Sequence, residues 1–221
     1  MTALSPAAAP AEAAIPVPAG GGRVGQWLLR AEVSGEEGSA SLRLLLRRFG
    51  AQRFLLTASD ALGQARWEVR RDGGEAIWLD PQAKLFCRLD SRLPLQARLA
   101  MPSIAVADFP ELLTGEWPPA DRVAAEPSAL SAERPFTAEA NVAGRAGAWR
   151  SWTLWQAGEP VAWFKRADGD SLLSVRRPSV QMRWRVTAAS DLPAEEAGTA
   201  SWPGALPAGS REMSCPDNAI P

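Results

Sequence analysis

The chain has 221 residues, enough to bury a core without staples, and balances 24 Lys and Arg against 25 Asp and Glu. A net charge of -1 gives no bulk attraction to nucleic acid or to an anionic membrane. With ten tryptophans but no histidine, the usual general base, zinc ligand and near-neutral pH switch are all missing.

Residues 1–22 are rich in Ala, Pro and Gly and lack both a basic start and a long apolar run. They read as a flexible tether and not as a signal peptide. A single domain is expected over 23–190. From Val24 to Leu89 the apolar residues recur with period two. Trp27, Leu29, Ala31 and Val33 oppose Arg30 and Glu32. Leu42, Leu44 and Leu46 oppose Arg43 and Arg47. Phe54 and Leu56 oppose Arg53 and Thr57, and Ala65, Trp67 and Val69 oppose Arg66, Glu68 and Arg70. Shorter strands are predicted at Glu75–Leu79 and Lys84–Leu89. Turn residues cluster at Ser34–Ser39, Phe49–Ala51, Ser59–Gly63, Asp72–Gly74 and Asp80–Pro81. The pattern is an antiparallel meander with one greasy face and one wet face.

The spacing changes after Leu93. Leu95, Leu99, Ile104, Val106, Phe109, Leu112 and Leu113 fit short helices over 93–117, with Asp108 or Ser103 as N-caps and Gly115 as a stop. Pro102 and Pro110 keep these helices short. Pro118–Arg134 reads as an exposed connector. A second β block is predicted from Phe136 to Ala188. Within it Trp149–Gln156 and Pro160–Ala167 are joined through Ala157-Gly158-Glu159, and Asp168-Gly169-Asp170 turns into Ser171–Arg177. Val180, Met182, Trp184 and Val186 then alternate with Gln181, Arg183 and Arg185. Residues 191–221 form a tail, expected to pack on the domain, that carries Cys215. So many strands sharing one greasy face need a cover, and the helical segment is the candidate for it. The expected fold is mainly β: an antiparallel unclosed β-barrel, a half-barrel of about ten or eleven strands, with a short helical lid between the two β blocks. A long β-sandwich or a closed lipocalin-like barrel meets the same pattern.

Motifs for chemistry are scarce. Glu36-Glu37, Glu195-Glu196 and Asp168/Asp170 sit in turns or the tail, where they do not face one another across a cleft. No GxSxG elbow exists, and Gly20-Gly21-Gly22 lacks the Lys-Ser/Thr of a phosphate loop. The arginine pairs Arg47-Arg48, Arg70-Arg71 and Arg176-Arg177 alternate with core residues and read as a wet sheet face, not a nucleic-acid surface. No enzyme activity, metal or cofactor is expected. Cys87 and Cys215 are either unrelated buried thiols or one disulfide clipping the tail to the body. The second reading, favoured by the rest of the pattern, places the chain in an oxidising compartment. Trp27, Trp67, Trp163 and Trp184 lie on what read as inward faces, lining either a filled core or a wide apolar cavity suited to acyl chains. Leu62, at the tip of the Ser59–Gly63 turn, is either folded back or a small membrane or partner anchor.

The run Gln52-Arg53-Phe54-Leu55-Leu56-Thr57, followed by Ala61-Leu62-Gly63-Gln64 and Trp67-Glu68-Val69, resembles the outer-membrane lipoprotein receptor family LolB. That family carries a leucine on a protruding loop between two strands. Asp72-Gly73-Gly74 falls at its next turn, and Met101–Pro118 is similar to its helical segment. The resemblance covers Trp27 to Pro118. The chain differs in having Asp60-Ala61 for Asn-Pro, two added cysteines, a long tail and no lipobox cysteine near Met1. The resemblance implies a cavity that takes the acyl chains of lipoproteins or lipids. It also implies a lipid-anchored place on the periplasmic face of the outer membrane. The implied partners are the inner leaflet of that membrane and a periplasmic LolA-like carrier, with no nucleic acid. Ala61, Leu62 and Gly63 would form the membrane-inserting loop. The cavity would be lined by Trp27, Leu29, Leu44, Leu46, Phe54, Leu56, Trp67, Val69, Leu112, Trp163, Met182 and Trp184. The expected function is to shelter acyl chains and help insert lipoproteins into the outer membrane. The alternative is a structural or assembly lipoprotein that docks an envelope protein on the same scaffold.

Overall fold

The computed structural model describes residues 24–35, 38–90, 105–116, 123–124, 137–141, 150–156, 159–167, 170–175, 179–192 and 206–215. The first block holds β1 (Gly25–Gly35), β2 (Gly38–Arg48), β3 (Arg53–Ser59), β4 (Ala65–Asp72), β5 (Glu75–Asp80) and β6 (Leu85–Asp90). A 3-10 turn (Val106–Asp108) then leads into helix α1 (Phe109–Thr114). The second block holds β7 (Val123–Ala124), β8 (Thr137–Asn141), β9 (Arg150–Gln156), β10 (Glu159–Ala167), β11 (Asp170–Val175) and β12 (Val180–Ser190), and β13 (Arg211–Glu212) lies in the tail.

All these strands form one sheet in the order β13-β6-β5-β4-β3-β2-β1-β12-β11-β10-β9-β8-β7. The order is linear, so among the described residues the sheet keeps two edges and does not close. That excludes the closed barrel, and a single sheet excludes the sandwich. Neighbours are antiparallel except for the two-residue strands β7 and β13, which pair in parallel with β8 and β6. The other eleven strands are those of the expected unclosed sheet. The two blocks meet where β1 pairs β12 along its length, from Gln26↔Ser190 to Gly35↔Val180.

Period-two patterning carries through to burial. Trp27, Leu29 and Ala31 on β1, Leu44 and Leu46 on β2, and Phe54, Leu56 and Ala58 on β3 are all buried. Their alternating neighbours Leu28, Arg30, Arg43 and Arg53 are exposed. Strand β6 starts at Leu85 and not at Lys84, because Lys84 takes a left-handed conformation (φ 54°) that ends the preceding turn. Two pairings escaped the sequence. Val123–Ala124 is a strand inside the segment read as a connector, and Arg211–Glu212 adds β13 to the edge of β6. Thr137–Asn141 pairs with β9 as β8, close to where the sequence places the start of the second block.

Helix α1 is short for legible reasons. Pro110 stands in its first turn, and Gly115 ends it in the left-handed conformation (φ 105°). Asp108 occupies the N-cap position, but its side chain makes no capping bond. Its backbone is already helical (φ −93°, ψ −3°) as it leaves the 3-10 turn, and Pro110 offers no N–H to cap. The tether 1–22 and the part of the expected helical lid before residue 105 lie outside the described residues.

Candidate functional site: a covered apolar face and an exposed leucine turn

One face of the sheet is a continuous apolar surface. Of the residues expected to line a cavity, Trp27, Leu29, Leu44, Leu46, Phe54, Leu56, Val69, Leu112, Met182 and Trp184 fall into one buried cluster. Trp67 packs on its margin, half-buried. Trp163 does not belong to it: the residue is on the opposite face and 39% exposed. The inward positions of β10 are Ala162 and Phe164, set by a register shift between Pro160 and Ala162. Phe164 therefore takes the inner place, stacked between Trp152 and Trp184 with ring centroids 5.2 and 5.8 Å apart. The adjacent pair Trp163-Phe164 reads equally well in either phase. Trp78 on β5 is a further buried inner residue that sequence reasoning missed.

The 3-10 turn and α1 lie over this face. Val106, Phe109, Leu112 and Leu113 are fully buried there. Three side chains from the sheet hold the helix through polar contacts. Trp184 Nε1 donates to the carbonyl of Leu113 (3.2 Å), and Arg166 Nη2 donates to that of Leu112 (3.2 Å). Arg48 Nη2 donates to Glu111 Oε1, and Arg48 Nη1 lies 3.6 Å from Glu116 Oε2. The helix end favours this grip. The N–H groups of Gly115 and Glu116 both return to the Glu111 carbonyl, and Leu112 and Leu113 keep theirs for the sheet. A Cβ on Gly115 would stand 2.6 Å from Arg166 Nη1. A side chain there would push the guanidinium off the Leu112 carbonyl, and the φ of 105° itself favours glycine.

Arg48 corrects the reading of its arginine pair as wet surface, since its side chain is 3% exposed. The signal was present: Arg48 continues the inward phase of Leu44 and Leu46, as Arg71 continues that of Trp67 and Val69 and Arg166 that of Ala162 and Phe164. Burial lowers the pKa of Arg166 to about 10, with Glu116 opposing the shift, so it stays charged at neutral pH. Arg71 is also held below its ordinary value by burial, opposed by Glu111 and Asp108 and reinforced by Arg48.

The turn between β3 and β4 presents Leu62, which is 84% exposed and not folded back. Asp60 fixes the turn. Its Oδ1 accepts from the N–H of Leu62 (2.9 Å) and of Gln64 (3.0 Å), while its Oδ2 meets Arg66 (2.8 Å). Desolvation pushes the Asp60 carboxyl up. The N–H groups of Gln64 and Leu62, with Arg66, outweigh it and hold the group below its ordinary value. Gly63 supplies the positive φ (80°) that closes the turn. Ala61 and Gly63 flank Leu62 and are likewise exposed. At the far edge of the sheet Cys87 and Cys215 form a disulfide, with a Cα–Cα distance of 5.1 Å.

No protein-family model matches the chain, and no curated protein matches it. Solved structures that resemble it at low identity include three from bacteria. A LolA superfamily protein from Nitrosomonas europaea is 9% identical, with 79% of this chain and 89% of that chain covered and a TM-score of 0.41. An outer membrane lipoprotein-sorting protein domain, so named, from Vibrio parahaemolyticus is 6% identical, with 80% and 89% covered and a TM-score of 0.47. An uncharacterized conserved protein from Thermus thermophilus is 9% identical, with 87% and 90% covered and a TM-score of 0.37.

Proposed function

We propose that this protein binds acyl chains of lipids or lipoproteins on the inner face of its sheet and passes them to a membrane. The observation that carries the reading is the cover: among the described residues, an extended apolar face on an unclosed sheet lies under a 3-10 turn and a helix of six residues. Phe109, Leu112, Leu113 and Val106 contribute about 1.5–3 kcal/mol each by burial, hence roughly 6–12 kcal/mol together. An acyl chain of about fourteen carbons, at about 0.8 kcal/mol per methylene, gains a comparable amount in the same place. By apolar burial the exchange is near balance, and the polar contacts from Trp184, Arg166 and Arg48 tip it toward the covered state, to which the helix returns when the lipid leaves.

Leu62 supports the second half of the reading. A bare leucine on a rigid turn is unfavourable in water and favourable in hydrocarbon. In this reading it is the element that touches the outer membrane during transfer, in the manner of the LolB family. The Cys87–Cys215 disulfide supports a periplasm-facing place, because such bonds persist in oxidising compartments. The assembly alternative draws on one observation: the described inner face is filled by its own side chains and α1.

Native mass spectrometry of the protein purified from its envelope separates the two readings. Co-purified lipid, released on unfolding, and saturable uptake of a synthetic diacyl lipopeptide by the emptied protein are expected. An empty protein that ignores fatty acids and lipopeptides would overturn acyl binding and favour the docking scaffold.

A further inference from the structure

The outer face of the sheet carries an arrangement that folding alone does not favour. In register across five strands run Ser59, Arg43, Arg30, Arg185 and Asp170. Two arginine–arginine pairs therefore stand directly opposite one another, and like charges so placed destabilise a sheet. Asp170 neutralises Arg185 through two bonds of 2.8 Å. The side chains of Arg30 and Arg43 have no partner among the described residues, and Arg183 in the next row makes no ion pair with the facing Glu32 but shares the field of Asp170 with Arg185. These residues line a groove of about 730 Å³, which holds four arginines against two carboxylates. A β-bulge shapes it: the register shifts between Leu28 and Leu29, and the extra residue Thr187 donates its hydroxyl to the Leu28 carbonyl (3.0 Å).

We infer that this arginine groove binds the phosphate headgroups of an anionic lipid surface. Apolar exposure selects that occupant. The large exposed apolar side chains among the described residues are Leu28 (42%), Trp163 (39%) and Leu62 (84%). Leu28 lies in the groove, Trp163 on the same face of the sheet, and Leu62 on the turn that follows Ser59, where the row ends. Unpaired Arg30 and Arg43 beside Leu28, with Leu62 past the end of their row and Trp163 farther along the same face, match a bilayer interface, where the phosphates lie next to hydrocarbon. The local field is positive although the chain as a whole is not, and a surface is read within a Debye length. The choice of a lipid over a free phosphate rests on the reading of Leu62 as a lipid contact.

Flotation with vesicles tests this, using zwitterionic phosphatidylcholine and the same lipid mixed with phosphatidylglycerol. The proteins compared are the full chain, Arg30→Gln/Arg43→Gln and Leu62→Glu. The full chain is expected to prefer the anionic vesicles and to lose that preference in high salt. Each arginine is worth roughly fivefold near such a surface, so the double variant is expected to bind anionic vesicles about 25-fold less and neutral ones unchanged. Its thermal midpoint is expected to hold or rise, because a like-charge pair has gone, which separates lost binding from lost folding. Equal binding of both vesicle types by the full chain, or undiminished anionic binding by the double variant, would overturn the inference. So would saturable binding of inorganic phosphate that the double variant loses while vesicles are ignored, since that marks a free-phosphate site. If Leu62→Glu keeps the anionic preference and the arginine variant loses it, the groove stands and the Leu62 reading falls.

Discussion

Arg48 is a charged side chain on an apolar face, and its partner Glu111 sits on the helix that covers that face. Removing Arg48 leaves Glu111 half-covered with Arg71 as its remaining cation, so Arg48→Met is expected to cost about 1–3 kcal/mol in urea unfolding, while Arg48→Met with Glu111→Leu is expected to recover most of the loss. Equal losses in the single and double variants would show that the ion pair does not hold the helix. Asp60 makes a second residue-scale case. Its carboxyl is depressed in the folded state, so its contribution is present above the ordinary carboxylate pKa and is lost as pH falls through the folded value. Below that range, the protection of the Leu62 and Gln64 amides, taken relative to the intrinsic exchange rate at the same pH, is expected to fall while protection elsewhere in β3 and β4 holds. A turn equally protected at both pH values would show that Asp60 does not fix it.

Helix α1 decides whether the inner face is a core or a site. Trp184→Phe keeps an aromatic ring but removes the Nε1 donor and the pyrrole half of the indole, so the lost bond to Leu113 and the small cavity together are expected to cost about 2 kcal/mol. If the helix must leave before lipid enters, that loss raises the open fraction and tightens apparent lipopeptide affinity by roughly tenfold. Lower stability with unchanged affinity, read by titration of the remaining tryptophan fluorescence, would mean that the helix does not move on binding. The helix itself was legible in the sequence, since Pro110 and Gly115 bracket it and its apolar residues break the period of two. The long strands β1 to β4 and β12 were legible for the converse reason. Strand β10 was misread at Trp163 because two adjacent aromatics carry no phase of their own, and the deciding bulge at Pro160 belongs to its pairing with β9. Arg48 was legible by phase and misread by charge, as a residue type that is seldom buried without a partner. The two-residue strands β7 and β13 were not legible at all. A pairing that short is selected by the edge it meets and leaves no periodicity behind.

On the scale of the whole molecule, an unclosed sheet must manage its edges, and the tail does so at β6. Strand β13 contributes Arg211↔Leu85 and Glu212↔Phe86, the N–H of Met213 donates to the Phe86 carbonyl (2.8 Å), and the Cys87–Cys215 disulfide fixes the result. The pairing alone is too short to persist, so the covalent link is what keeps the edge covered. The link spans 128 residues and so restricts most of the unfolded chain. Cys215→Ser is therefore expected to cost about 2–5 kcal/mol in urea unfolding, and to free an edge that associates with other copies. Cys87 is fully buried but Cys215 is only half-buried, so a reductant is expected to attack at the Cys215 sulfur and to open the link in the folded protein. Oxidised and reduced protein with the same urea midpoint would show that the tail adds no constraint. A reduced protein that is destabilised yet monomeric would show that the edge of β6 needs no cover.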